Sequence, residues 1–361
     1  MEDVLKFIAP AWTAQSLGSF RKQQFMSSLT TSPSTAQTVH APVDYLSDAH
    51  LSPGVRDFLK IVNAPGGKSI ESLPLAAARQ ALVDAQNAFK VDYSGIEEMK
   101  KTIEADGYSL ELNLVRPEGV KGMLPVFIFV HGGGWVLGDY PTHRRLVRDL
   151  VVASGHACVF VNFTLSPEAH YPQAIEEIYA ATKWVAAHGK EIRLDGGNLA
   201  VAGNSAGGNM TGAISLMAKE RGGPRIKTLV MMWPATDCSF TQESYALYGD
   251  QRFLTTPLMK WSWDNYADAT KRKEKHACLL NNSIEDLKGL PPTLIQVAEN
   301  DILRDEGEAF GRKLELAGVQ VSTVRYDGMI HDWGMLNGLA QEPGSKSVVL
   351  HAAAQLRHHL G

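Results

Sequence analysis

The chain has 361 residues, 44% of them hydrophobic and 20% charged, with a formal net charge of -4. That balance suits one large α/β domain carrying an inserted subdomain, or two domains, and it disfavours nucleic acid or an anionic membrane as the main partner. Three widely spaced cysteines, Cys158, Cys238 and Cys278, suggest neither a disulfide framework nor a zinc site. The first residues lack a basic stretch followed by an apolar core, and no run of about 18 apolar residues occurs, so a soluble, cytoplasmic protein is expected.

Residues 1–90 open with a Ser/Thr-rich stretch at 27–38 and a Pro-Gly-Gly break at 65–67. After the break, Leu75, Ala78, Leu82, Ala85 and Phe89 fall on one face of an amphipathic helix. From about residue 98 onward strand-like and helix-like segments alternate, which is the α/β signature. Residues 108–116 alternate as a half-exposed strand, and 126–130, 157–163, 199–202, 229–233 and 293–298 are short apolar runs of buried-strand type. Helical patterns occupy 172–188, 206–221, 303–317 and 346–359, and 319–326 reads as the last strand.

Residues 237–290 interrupt this alternation and hold Tyr245, Tyr248, Phe253, Trp261, Trp263 and Tyr266. An insertion of that length between neighbouring strands needs its own fold, and a helical cap is expected. Trp261 and Trp263 either line an acyl pocket or pack the insertion's own small core. The basic run from Lys271 to Lys275 reads as a solvated face.

The chemistry centres on Gly203-Asn204-Ser205-Ala206-Gly207, which follows a strand-like run and precedes a helical one. A Gly-x-Ser-x-Gly turn in that setting holds a serine at the tip of a strained elbow, beside a helix N-terminus that favours negative charge. Alone the pattern is weak, because composition predicts about 0.2 chance matches. Serine also needs a base, an acid that orients the base, and donors for an oxyanion. Asp301 stands at the end of the 293–298 strand, whereas Asp305 falls in the first turn of the following helix and reads as a dipole or surface residue. His331 lies in a turn-rich loop after the last strand and is the candidate base, in the order serine, acid, histidine.

The donors come from His131-Gly132-Gly133-Gly134-Trp135, directly after the 126–130 strand, a motif expected by chance only about 0.01 times. The amides of Gly132 and Gly133, with that of Ala206, are the candidate oxyanion hole. His131 precedes the serine and reads as a structural hydrogen-bonding residue, and Trp135 is a third candidate for the pocket wall. No histidine pair has metal-ligand spacing, so no metal is expected.

These residues resemble the hormone-sensitive-lipase-like family of α/β-hydrolases, the bacterial carboxylesterases with an HGGG motif ahead of the GxSxG elbow. HGGGW at 131–135, GNSAGGN at 203–209 and the stretch from Asp301 to Glu308, followed by His331, carry the resemblance. A fourth segment, Leu165-Ser166-Pro167-Glu168 with Tyr171-Pro172, resembles the family's lead into the helix before the elbow. The resemblance implies an α/β-hydrolase fold, a mostly parallel eight-stranded sheet flanked by helices, with a helical cap. It implies a cap segment over 1–90, a catalytic domain over 91–361 and a cap insertion at about 237–290. It further implies a Ser205, His331, Asp301 triad that hydrolyses short- to medium-chain carboxylic esters through an acyl-enzyme without a cofactor, and it allows a homodimer through the sheet edge near 319–326. An amide, lactone or carbamate hydrolase with the same triad is the alternative, and a non-catalytic ligand-binding relative is a more distant one. The chain departs from the family pattern at Asn204, where Asp or Thr is usual, and at Asn162 and Thr164, where an acidic residue and an arginine are usual, so a buried ion pair common in relatives is expected to be absent.

Overall fold

The computed structural model describes residues 43–361, so the Ser/Thr-rich stretch at 27–38 lies outside the described residues. The helices α1 (Pro53–Val62) and α2 (Leu75–Asn87) come first. They are followed by β1 (Ile96–Ala105), β2 (Tyr108–Pro117), β3 (Leu124–Val130), α3 (Tyr140–Ser154), β4 (Ala157–Asn162), α4 (Gln173–His188) and β5 (Leu194–Asn204). Then come α5 (Ala206–Glu220), β6 (Leu229–Met232), α6 (Glu243–Tyr248), α7 (Thr256–Tyr266), α8 (Ile284–Leu287), β7 (Thr293–Asn300), α9 (Arg304–Leu316), β8 (Val321–Ile330) and α10 (Pro343–Leu360). No described helix is long and apolar enough to cross a membrane.

The strands form one eight-stranded sheet in the order β1-β2-β4-β3-β5-β6-β7-β8. β2 pairs antiparallel with β1 and with β4, and every later pairing is parallel. Asp106 and Gly107, both at positive φ, make the tight turn between β1 and β2, whose handedness matches the strand twist. The central strands are apolar on both faces and their side chains alternate between two cores. Val126, Ile128 and Val130 belong to the core that also holds Ile178 of α4, Ile214 of α5 and Phe310 of α9. Phe127 and Phe129 point the other way, toward Leu146 and Leu150 of α3 and Ala352 and Leu356 of α10. Continuous apolar runs are therefore required, and burying one such Leu or Phe side chain contributes about 1.5–3 kcal/mol.

Register places the strand ends. Gly203 of β5 pairs with Val130, the last residue of β3, and Asn204 pairs with Met232, the last residue of β6. A shift in the β7–β8 ladder pairs Asn300 with Ile330, the final residues of those two strands. The residues that follow, 131–134, Ser205, Asp301 and His331, consequently emerge together at the carboxyl edge of the sheet, as expected for an open α/β sheet.

Several expectations are revised. β1 was not foreseen, because its Glu97, Glu98, Lys100, Lys101 and Glu104 read as polar surface, and most of its residues are indeed exposed or half-buried. α3 was missed as well, since its buried side includes Arg145, which is paired with Asp149. β8 runs on through Asp327 and Gly328 to Ile330, where a turn was expected. In α2 the buried positions are Ala78 and Gln86, while Ala85 is exposed. The 237–290 stretch contains only short helices, α6, α7 and α8, joined by turns.

Gln86 shows why a polar residue occupies that face. Its Nε2 donates to the carbonyls of Thr142 (2.6 Å) and Met335 (3.0 Å), and its Oε1 accepts from the Asn337 amide (2.8 Å). The Asn337 side chain in turn accepts from Arg145 Nε and donates to the Gln86 carbonyl. The amide thus ties α2 to α3 and to the loop beyond His331. Arg79, two turns earlier, donates to the Val136 and Ser166 carbonyls and pairs with Glu168.

Candidate active site

Ser205 sits between the last residue of β5 and the first of α5 at φ 53°, ψ -122°. A non-glycine residue in that region is strained by about 1–3 kcal/mol and persists only when its surroundings over-determine it. Here they do: the Ser205 amide donates to the Met232 carbonyl (2.9 Å), and its carbonyl accepts from Asn209 (3.0 Å) and Ala235 (3.2 Å). The elbow's second glycine is a steric necessity, because a Cβ at Gly207 would stand 2.0 Å from the Val130 carbonyl oxygen. β3 and the start of α5 therefore approach backbone to backbone.

The serine hydroxyl lies 2.9 Å from His331 Nε2, and His331 Nδ1–H donates to Asp301 Oδ2 at 2.7 Å. Asp301 Oδ1 accepts from the Leu303 amide (3.0 Å), which fixes the carboxylate at the entry to α9. All three residues are buried, with Ser205 only 4% exposed. Burial by itself would push the imidazole down, but attraction to Asp301 and Asp332 and the Asp301 hydrogen bond outweigh it, so His331 titrates above its ordinary 6.5. The structure thus brings together the serine, acid and histidine named from the sequence.

The glycine loop requires one correction. The Gly132 amide is already engaged, donating to Asn204 Oδ1 at 3.0 Å in a buried contact. The Gly133, Gly134 and Ala206 amides have no partner among the described residues. Gly133 adopts φ 98°, and a Cβ there would meet the Leu137 carbonyl oxygen at 2.3 Å. His131 is structural: its Nδ1–H donates to the Gly132 carbonyl (2.8 Å), its ring stacks on Phe160 and Phe163, and burial pushes its pKa down to about 4.

The three tryptophans have different surroundings. Trp135 stacks on Tyr266 with ring centroids 4.3 Å apart and meets Trp263 at 4.5 Å, all three fully buried. Trp261 is half-buried and packs against the cluster of Ala78, Val136 and Leu137, as does Leu75 of α2. α7 lies directly over the glycine loop, since a Cβ on Gly134 would fall 2.3 Å from Ser262 Oγ.

Glu306 and Asp332 carry roles that sequence reasoning did not find. Glu306, fully buried in the first turn of α9, accepts from the Thr236 and Asp237 amides and from the Tyr245 hydroxyl, and burial holds its pKa well above the usual carboxylate range. It anchors the chain leaving β6. Asp332 Oδ1 accepts from Asn204 Nδ2 (3.0 Å) and Trp233 Nε1 (2.6 Å). Its position next to His331 was the available signal. Asp305 caps α6 by accepting from the Ser244 amide, and Glu177 takes neutral donors from Thr164 and Gln173. Asp237, Cys238 and Cys278 bring their ligand atoms within 4.8 Å of one another, a grouping hidden by their distance in sequence. The Asp237 carboxylate there is occupied as a turn cap, accepting from the Cys238 and Ser239 amides, the Ser239 hydroxyl and the Gln242 amide.

Comparison with known proteins agrees with this geometry. A family model described as the alpha/beta hydrolase fold matches residues 127–335. The chain is 54% identical to a thermostable esterase from Pseudomonas putida ECU1011 of known crystal structure, covering 87% of this chain and 99% of that one with a TM-score of 0.86. It is 31% identical to an alpha/beta hydrolase of Acanthamoeba polyphaga mimivirus (82% of this chain, 85% of the relative). It is 32% identical to the carboxylesterase NlhH of Mycobacterium tuberculosis (72% and 82%). On sheet order, strand-end register and this likeness, the chain belongs to the α/β-hydrolase fold family, within the hormone-sensitive-lipase-like branch its motifs resemble.

Proposed function

We propose that the protein is a serine carboxylesterase acting through an acyl-enzyme. The observation that carries this reading is the unbroken relay from Ser205 Oγ to His331 Nε2 and from His331 Nδ1 to Asp301, on an elbow flanked by amides without a partner among the described residues. His331 takes the Ser205 proton as the hydroxyl attacks the ester carbonyl. The Gly133, Gly134 and Ala206 amides receive the oxyanion, each contributing about 3 kcal/mol to the transition state. Protonated His331 then donates to the departing alcohol, and the same imidazole activates the water that releases the acid. Asp301 holds the imidazole in the tautomer that leaves Nε2 free to accept.

α2, with the turn before it, and the 237–290 insertion form the cap in this reading, meeting over the glycine loop through Trp261, Leu75, Val136 and Leu137. Esterase names among the relatives support carboxylic esters as the substrate class, and a short- to medium-chain acyl group is the expected substrate. The test is Ser205→Ala assayed on nitrophenyl esters of rising chain length. kcat should fall by about 10⁶, and a fluorophosphonate should label the parent protein but not the variant. Retention of most esterase activity by the variant would overturn the assignment.

A further inference from the structure

Asp332 is a second carboxylate beside the imidazole. Its Oδ2 stands 3.8 Å from His331 Nε2, the nitrogen that faces Ser205, while Asp301 occupies the opposite nitrogen. Asp332 is buried, in the left-handed region at φ 59°. Both donors to its Oδ1 are neutral, the Asn204 carboxamide from the end of β5 and the Trp233 indole from the end of β6. The Asp301 and Asp332 carboxylates are the charged groups acting on His331; the ends of β5 and β6 contribute only Ser205, Asn204 and Trp233. Among the described residues, the imidazolium that forms when His331 takes a proton is the one cation paired with Asp332. A buried carboxylate without a permanent counter-ion is costly, so its charge is best matched in the protonated state of the imidazole.

Asn204 is what makes this arrangement possible. Its Oδ1 accepts from Gly132 N–H and its Nδ2 donates to Asp332, so one planar carboxamide joins the glycine loop to the histidine loop. Only an amide has both an acceptor and donors in that geometry. A carboxylate at position 204 would satisfy Gly132 but would face Asp332 at about 3 Å, where two carboxylates do not both ionise.

We propose that Asp332 is a second carboxylate partner of the His331 imidazolium, and that Asn204 is the positioning residue holding it there while fixing the start of the oxyanion loop. The proposal rests on the reading of Ser205 as nucleophile and His331 as base. Its prediction is a split between charge and geometry, tested by kcat/KM against pH for three variants. Asp332→Asn keeps both neutral donors but removes the charge. The acid limb of the profile should move about one pH unit lower, with kcat/KM reduced about tenfold. Asn204→Asp should reduce kcat/KM about a hundredfold at neutral pH, the loss growing as pH rises and the second carboxylate ionises. The reciprocal double variant, Asn204→Asp with Asp332→Asn, restores the donor–acceptor match. It should recover at least about tenfold over Asn204→Asp while keeping the lowered acid limb, since the charge has moved away from the imidazole.

An acid limb unmoved in Asp332→Asn, or a double variant no better than Asn204→Asp, overturns the proposal. Asp332→Asn alone decides it if Asn204→Asp fails to fold. Fluorophosphonate labelling keeps this result separate from the esterase reading: labelling of Ser205 that persists with an unmoved acid limb removes the role of Asp332 only, whereas absence of labelling in the parent protein removes the reading beneath it.

Discussion

The carboxyl edge of the sheet and the layer above it are built by different rules. At the edge, each reacting residue is the first or second past a strand end, and backbone geometry sets its place: Ser205 at positive φ, Gly207 against the Val130 carbonyl, Asp301 and His331 beyond the paired Asn300 and Ile330. Above it, α2 and α7 are held by side chains from distant parts of the chain, such as Gln86 on Thr142 and Met335 and the packed rings of Trp135, Trp263 and Tyr266. Changes at the edge should therefore act on rate with little effect on stability, and changes above it should act on stability or selectivity first.

The largest expected effect tests the edge. Asp301→Asn should lower kcat by about 10⁴, by analogy with other triads, because the carboxamide favours the wrong imidazole tautomer. Carboxylate attraction raises the His331 pKa, and the base works only when deprotonated, so removing Asp301 should also shift the acid limb of kcat/KM to lower pH. A melting temperature that drops as sharply as the rate would blur the distinction between edge and cover.

The next effect belongs to the cover. Trp263 is fully buried, and Trp263→Ala should cost about 3–5 kcal/mol of stability in urea titrations. Unchanged stability with altered chain-length preference would instead make Trp263 a pocket wall. Gln86→Leu leaves the Asn337 amide and the Thr142 and Met335 carbonyls without this partner and should cost about 2 kcal/mol, with Ser205 labelling intact. A loss of labelling in Gln86→Leu would mean that α2 also orders the histidine loop.

The smallest effect concerns the exposed Arg79–Glu168 pair. Arg79 holds the Glu168 carboxyl at about 2, below its ordinary 4.5. The stabilisation is present above 4.5 and lost as the pH falls toward 2, and solvent keeps it below about 1 kcal/mol. Glu168→Gln should leave kcat unchanged and shift the melting temperature by no more than a few degrees near pH 7. A larger shift there would show that a rim contact of the cover matters as much as its core.

Legibility followed the same division. Ser205, Asp301 and His331 were readable because each sits at a fixed offset from an apolar run, and strand, turn and helix signals are local. Gly132 was assigned as an oxyanion donor because the motif does not reveal that Asn204, far along the chain, takes its amide. β1 and α3 were hidden by charge: one is a surface strand, and the other buries an arginine whose partners, Asp149, Asn337 and the Gly334 carbonyl, are mostly remote. Gln86 broke the apolar pattern of α2 for the same reason, since a buried carboxamide is intelligible only once the groups it bonds are known. Asp332 adjoins a residue that was singled out, yet its role depends on Asn204 and Trp233, which only the folded sheet places beside it.

The backbone contact between Val130 and Gly207 has a bearing on engineering. Where a single methyl group would sit 2.0 Å from a carbonyl oxygen, random libraries spread over the elbow will mostly return inactive clones. New acyl or alcohol preferences are better sought by varying Trp261 and its neighbours on α7 and α2, where side chains rather than peptide groups meet. The scaffold thus divides a design campaign in advance into positions to leave alone and positions to randomise.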